Sequence, residues 1–305
     1  MNTQVEIVEV GPRDGLQSEP DVLPTETKIE YITRAMDAGI RRLEVASFVH
    51  PRRVPQMADA EAVLEGLPER DDVIYIGLIL NRRGFDRALA AGVDEVGMAV
   101  VASDTFNRRN QGVSSDESVA AWLDIAADAR RAGLRYNVTV SAAFGCPFEG
   151  EVEPRHVVEL AKRVAEAEPV EVALADTIGV ASPQQVIDLI GMVAEALPGM
   201  PLRCHFHNTR NTGLANAFAA VQVGVRALDA SIGGIGGCPF APAATGNIPT
   251  DDLIYMLERS GIATGVDLSQ VMATSEWLAG QLGRSVPAML PRAGRFPEQL
   301  AGNAA

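Results

Sequence analysis

The sequence predicts an α/β fold, a closed (β/α)8 TIM barrel with a short C-terminal helical extension, and three observations predict it. Short β-branched runs alternate strictly with stretches of helical spacing, eight of each between Val5 and Ser260. Such alternation calls for parallel strands joined by crossover helices. Each strand and helix together take roughly thirty residues, so eight units fill the ~250 residues of a closed barrel. Ala-Gly pairs at Ala38–Gly39, Ala91–Gly92 and Ala132–Gly133 end helices just before the next strand, as C-capping glycines do. An open, doubly wound sheet is the alternative that the same alternation allows.

The elements follow in order. Val5–Val10 alternates Val, Ile and Val with Glu and reads as the first strand, and Glu26–Ala38 has the spacing of the first helix. The second to fourth strands are read at Arg42–Ala46, Val73–Leu78 and Glu95–Val100, with helices at Gln56–Leu67, Arg82–Ala91 and Ser115–Ala132 after them. Tyr136–Ser141, Glu171–Ala175, Leu202–His207 and Ala227–Ser231 complete the strands, paired with helices at Pro154–Glu168, Pro183–Leu197, Asn211–Val223 and Asp251–Ser260. Residues 265–281 read as one helix more than the eightfold pattern needs, and the last fifteen residues read as irregular. The expected organisation is a barrel over residues 1–264 and an extension with its tail over 265–305.

Composition excludes several function classes. The 305 residues hold 26 Lys+Arg against 40 Asp+Glu, a formal net charge of −14, which would repel a nucleic-acid backbone or an anionic membrane. Hydrophobic residues at 47% and charged residues at 22% suit a substantial core rather than disorder. With 5% aromatic residues the chain is no base-stacking platform. No apolar run reaches the length of a membrane span. The opening MNTQVEIVEV lacks the basic and apolar regions of a secretion signal, and three cysteines make no disulfide framework, so a cytoplasmic protein is expected.

In a barrel, the loops after the C-terminal strand ends build the active site, so unusual polar residues should collect there. After the first strand comes Gly11-Pro12-Arg13-Asp14-Gly15-Leu16-Gln17. Its Asp-Gly reads either as ordinary turn chemistry or as an oxygen ligand beside a fixed cation, Arg13. The seventh strand ends Leu202-Arg203-Cys204-His205-Phe206-His207-Asn208, and a period of two puts both histidines on one face and Cys204 and Phe206 on the other. Two imidazoles aimed inward suit one metal ion; two hydrogen-bonded core histidines are the plainer reading. After the eighth strand runs a glycine-rich loop with Gly233, Gly234, Gly236 and Gly237, followed by Cys238-Pro239 rather than by a helix. A dinucleotide fingerprint therefore fails its context, leaving a mobile loop with a thiol over the mouth or a plain flexible connection.

The stretch Val8-Glu9-Val10-Gly11-Pro12-Arg13-Asp14-Gly15-Leu16-Gln17 resembles the opening signature of the 3-hydroxy-3-methylglutaryl-CoA lyases. So do Ser47-Phe48-Val49 with Val54-Pro55-Gln56-Met57, Asp176-Thr177-Ile178-Gly179-Val180, and Gly236-Gly237-Cys238-Pro239-Phe240-Ala241. The resemblance runs in register from about residue 5 to 265 and extends more loosely to Claisen-type synthases with an Arg-Asp pair after the first strand. It implies a divalent cation, Mg2+ or Mn2+, held by Asp14, His205, His207 and Asn247. It further implies that Arg13 and the loop residue Cys238 are catalytic, with Glu44 and Asp176 as carboxylates important for activity. Gln17, Ser47 and Asn110 match polar residues of the same mouth, and an acyl-CoA substrate and a homodimer are implied as well.

The expected reaction is retro-Claisen cleavage of a 3-hydroxy-3-methyl acyl-CoA. The reading preferred here is hydroxymethylglutaryl-CoA giving acetyl-CoA and acetoacetate. Such a reaction needs an acidified tertiary hydroxyl, for which Asp14 is the base, a cation at the forming enolate, for which Arg13 serves, and an acid such as Cys238. The sequence departs from the family pattern after the histidines: the usual Asp-Thr-Tyr-Gly is Asn208-Thr209-Arg210-Asn211. Asn208 removes a negative charge and Arg210 adds a cation, so the mouth becomes more electropositive and both are candidate substrate-binding residues. They keep citramalyl-CoA and longer branched 3-hydroxyglutaryl-CoAs open as substrates. A Claisen-type synthase and a non-catalytic metal or acyl-CoA binding protein are the other readings. The basic pair Arg108-Arg109 either meets CoA phosphates or is simply solvated.

Overall fold

The computed structural model describes residues 4–238 and 241–296, without the side chains of Cys238 and of residues 241–244. Eight parallel strands close into a barrel in sequence order: β1 (Glu6–Glu9), β2 (Arg42–Ser47), β3 (Ile74–Ile79), β4 (Glu95–Val101), β5 (Arg135–Ser141), β6 (Val172–Asp176), β7 (Leu202–Phe206) and β8 (Ala227–Ala230). The ring shuts where Glu6–Glu9 of β1 align with Ala227–Ala230 of β8. This is the closed barrel rather than the open sheet.

Helices cover the outside: α1 (Thr25–Asp37), α2 (Ala60–Gly66), α3 (Arg82–Ala91), α4 (Asp104–Gln111), α5 (Ser115–Arg131), α6 (Pro154–Ala165), α7 (Pro183–Ala196), α8 (Gly213–Gln222) and α9 (Thr250–Arg259). Gly39, Gly92 and Gly133 take φ of 101°, 79° and 70°, the left-handed conformation that ends a helix without a Cβ clash. The main core lies between strands and helices and includes Leu43, Leu174, Leu228, Ile32, Val157 and the fully buried Trp122. Trp122 donates its indole Nε1–H to the Val164 carbonyl at 2.8 Å. After the barrel, α10 (Leu268–Leu282) packs on α1, with the Trp277 ring 6.5 Å from that of Tyr31, and the short α11 (Leu290–Ala293) follows.

Three expectations needed correction. The helix read over Gln56–Leu67 is a 3-10 turn, Pro55–Met57, then α2. The buried Lys28 ammonium explains the break. It takes the Gln56 carbonyl at 2.5 Å and the Asp59 carboxylate at 2.6 Å, so that carbonyl is drawn away from a continuous helix. Helix α4 was not foreseen, because Asp-Thr-Phe-Asn-Arg-Arg-Asn-Gln shows no apolar stripe. Buried Asn107 anchors it instead, its Nδ2 donating to the Val113 and Ser114 carbonyls and its Oδ1 accepting from Val101 N. The C-terminal stretch read as irregular begins within α11.

The inside of the barrel is charged. An apolar patch, Val8, Val10 and Ile76, occupies one part of it. Elsewhere Arg42 pairs with Glu95 and with Glu171 at 2.7 Å, and Arg203 lies 3.0 Å from Glu171 and 3.3 Å from Asp229. Ions taken this far from water hold only when paired, and the strand register supplies each with a partner.

Candidate active site and metal centre

Three C-terminal strand ends build the site. After β1 the chain makes a single π-helical turn over Gly11–Gly15, with Asp14 N and Gly15 N both donating to the Val10 carbonyl at 2.7 and 3.2 Å. A turn of this width carries Arg13 and Asp14 side by side at the mouth; such turns occur often at functional sites. From β2 comes Glu44, and from β7 His205 and the residue just past the strand, His207. Arg13, Asp14, Glu44, His205 and His207 all line one cavity of about 400 Å³ at the barrel mouth.

The period-two reading of β7 holds. Cys204 and Phe206 are buried in the core outside the barrel, while Arg203, His205 and His207 face the cavity. One ligand atom each from Asp14, His205 and His207 lies within 4.8 Å of the others, the only such His/Cys/Asp/Glu group among the described residues. Asn247 Nδ2 donates to Asp14 Oδ2 at 3.0 Å and to the Ile235 carbonyl at 3.2 Å. That leaves Asn247 Oδ1 buried without a hydrogen bond, and His207 Nδ1 is left in the same state. Buried polar atoms seldom go unsatisfied, so an oxygen and a nitrogen left over beside an aspartate fit a divalent cation.

The electrostatics agree. Burial alone would raise Asp14, but the Arg13 guanidinium 2.5 Å away, then His205 and His207, hold its carboxyl well below the usual range. Burial and the neighbouring His205 push His207 down to about 3, which keeps its lone pairs available at neutral pH. Burial would lower His205 too, but its Nδ1 contact with Asp229 raises it instead. Glu44 is raised by burial, an effect that its ion pair with Arg13 Nε only partly offsets. Arg13 is thus clamped between two carboxylates and keeps its charge.

Other expected site residues fall in different places. Gln17, Asn110 and Gly237 line the cavity. Gly236, at φ 107°, packs where a Cβ would stand 2.7 Å from Asn247 Nδ2 and 3.1 Å from Gly15 Cα, so the β8 loop can lie against the Asp14 turn only with glycine there. Gly237 begins a two-stranded hairpin of β9 (Gly237–Cys238) and β10 (Ala241–Thr245), and the Cys238 side chain lies outside the described residues. Ser47 is fully buried and is not part of the cavity wall. Asp176 faces away from the cavity; its carboxylate accepts from Val180 N and Ala181 N at 2.9 and 3.0 Å, while its neighbours Ala175 and Thr177 form part of the wall.

Asn208 and Arg210 also turn away. Asn208 Oδ1 accepts from Gly213 N at 3.1 Å, at the start of α8, and Arg210 Nη1 donates to the Ile178 and Gly179 carbonyls at 2.8 and 3.0 Å. Neither is in the cavity wall. Arg109 stacks over the Phe148 ring at 4.2 Å and Arg108 pairs with Asp104, whereas Arg53 reaches the wall beside Asn110. Sequence reasoning missed Arg53, Asn137, Thr177, Arg203 and Asp229, all of which line the cavity. A charged residue at an inward strand position, such as Asp229 within Ala-Leu-Asp-Ala, was the available signal.

A family model described as HMGL-like matches residues 4–278. The chain is 45% identical to the (R)-citramalyl-CoA lyase of Chloroflexus aurantiacus, over 97% of this chain and 96% of that protein. It is 42% identical to the hydroxymethylglutaryl-CoA lyase of Pseudomonas mevalonii, over 92% and 93% of the two chains. Among solved structures, the Bacillus subtilis HMG-CoA lyase superposes with a TM-score of 0.93 at 38% identity, covering 95% of this chain and 98% of that one. An HMG-CoA lyase from Acinetobacter baumannii in complex with coenzyme A and 3-methylmalate also superposes at 0.93, with 40% identity, 97% of this chain and 96% of that one.

Proposed function

The chain belongs to the HMGL-like family and is a carbon–carbon lyase, and from that premise we propose that it cleaves a 3-hydroxy-3-methyl acyl-CoA by retro-Claisen chemistry. The observation that carries the reading is the convergence of Asp14, His205, His207 and the unsatisfied Asn247 Oδ1 beside a clamped Arg13. Asp14, His205, His207 and Asn247 would hold the cation, Mg2+ or Mn2+. When bound, that cation acidifies the tertiary hydroxyl of the substrate.

The protein's own residues do the rest. Asp14, ionised across the working pH range, accepts the hydroxyl proton as the carbon–carbon bond breaks and a ketone leaves. The electron pair passes to the α-carbon of the thioester as an enolate. Arg13, kept charged and in place by Glu44 and Asp14, offsets the negative charge on the thioester oxygen. Cys238, on the loop after β8, is the proton donor to that carbon. Asp176 serves by fixing the turn that presents Ala175 and Thr177, and Gln17, Asn110 and Arg53 meet the substrate at the mouth. Under the same reading the enzyme works as a cytoplasmic homodimer.

Hydroxymethylglutaryl-CoA, giving acetyl-CoA and acetoacetate, is the first substrate to test. The Chloroflexus relative favours a second, citramalyl-CoA, giving acetyl-CoA and pyruvate. The experiment is steady-state cleavage of both thioesters with Mg2+ and with EDTA, in wild type and in the Arg13→Ala and Cys238→Ala variants. Cleavage of at least one, abolished by EDTA and reduced at least a hundredfold by Arg13→Ala, is expected. Near-full turnover in both variants would falsify the assignment of roles. Turnover of neither thioester by wild type would sink the substrate class.

A further inference from the structure

The two cavity histidines are held in different ways. His205 and His207 have ring centroids 5.1 Å apart, and they differ at Nδ1. The β7–β8 register sets His205 directly beside Asp229, and His205 Nδ1 meets Asp229 Oδ2 at 3.1 Å. His207 Nδ1 has no hydrogen bond.

Asp229 has a charged neighbour of its own. Its other oxygen lies 3.3 Å from Arg203 Nη1, and Arg203 is 2% exposed. Arg203 in turn sits 3.0 Å from Glu171 through Nε and donates from Nη2 to Asn137 Oδ1 at 3.0 Å. Of these contacts only Nη2–Asn137 is a hydrogen bond; the other two are ion-pair contacts, and the buried guanidinium's charge favours Asp229 as an anion, able only to accept. A carboxylate at that spot accepts from His205 Nδ1–H and so directs metal binding to Nε2.

We propose that Asp229, paired with Arg203, is a positioning residue that fixes the His205 tautomer and so sets the affinity of the site for its divalent cation. The inference rests on the metal reading of Asp14, His205, His207 and Asn247. A carboxylate behind a ligating histidine fixes ring orientation and strengthens the ligand, and its loss typically weakens metal binding ten- to a hundredfold. Here the arrangement is made from the strand pairing itself, so it is in place before any ion arrives.

Two measurements test it. Mn2+ titration of the metal-free protein, followed by the EPR signal of free Mn2+, gives dissociation constants for wild type and Asp229→Asn. A ten- to hundredfold weaker constant in a variant with wild-type circular dichroism is expected. An unchanged constant in the folded variant would mean that Asp229 is structural only. If Asp229→Asn fails to fold, long-range 1H–15N NMR of metal-free wild type decides, with His205 assigned by comparison with His205→Gln. At a pH high enough for the ring to be neutral, the hydrogen is expected on Nδ1, and one on Nε2 would overturn the proposal. Absence of Mn2+ binding by wild type would instead remove the metal reading on which it rests.

Discussion

Glu9 is a carboxyl that the chemistry does not use but the site depends on. It is fully buried, its Oε1 accepting from Gly11 N and Ile232 N at 2.9 Å and from Tyr31 OH at 3.1 Å, its Oε2 from Thr250 Oγ1 at 2.7 Å. It thus ties the Asp14 turn to the loop after β8. Burial pushes its pKa from 4.5 up to about 7, a change its four donors only moderate. The folded protein therefore holds a proton there that the unfolded chain has released, so stability is full below about pH 4.5 and declines as pH rises through 7. A shift of that size is worth on the order of 3 kcal/mol. Glu9→Gln, which cannot ionise, should gain stability relative to wild type between pH 4.5 and 8, read by urea unfolding at several pH values. Parallel pH profiles for the two proteins would contradict this.

The elements differ in how they are held. Helix α5 rests on local signals: Ser114 Oγ accepts from Glu117 N at 3.1 Å and Glu117 accepts from Ser114 N at 2.7 Å, a complete capping box. Helix α7 opens the same way with Ser182 and Gln185. Ser114→Ala should cost about 1 kcal/mol, seen as a lower urea midpoint with an unchanged m-value. No loss, or a loss well above ~2 kcal/mol, would contradict a role confined to the cap. Helix α4 has no apolar stripe and no side-chain cap; Ser103, at its N-terminus, donates to Cys146 Sγ instead. Its position comes from Asn107, a tertiary device, and that is why hydropathy patterning passed over it.

At the scale of the whole molecule, the barrel encloses charge rather than oil. Arg42 and Arg203 lie among Glu95, Glu171 and Asp229, and the network reaches from the floor of the barrel to His205 at its mouth. Asp14 and Glu44 add two more carboxyl groups at the mouth and share one cation, Arg13. A dication bound there adds the positive charge this cluster lacks and ties β1, β7 and the β8 loop together. Binding to the folded state alone stabilises it by about 2.7 kcal/mol at a hundredfold excess over Kd. Mn2+ or Mg2+ should raise the thermal midpoint by several degrees and EDTA should reverse it. A midpoint indifferent to both would argue that no ion binds here.

The sequence by itself determined the order and parallel sense of the strands, because alternating β-branched runs and helical stretches are local patterns with fixed periods. It also determined that His205 and His207 share a face, since the pleat of a strand leaves no other arrangement. That Arg13 and Asp14 belong with them was legible through the motif they sit in. Only the tertiary structure decided which polar residues meet. Asp176, Asn208 and Arg210 stand beside cavity residues in the chain, yet spend their side chains on backbone groups of neighbouring loops. Arg203 and Asp229 are 26 residues apart on different strands and come together through the β7–β8 register. Periodicity says which way a side chain points. What it meets there depends on strands far away in the sequence, and on the need of every buried charge and polar atom for a partner.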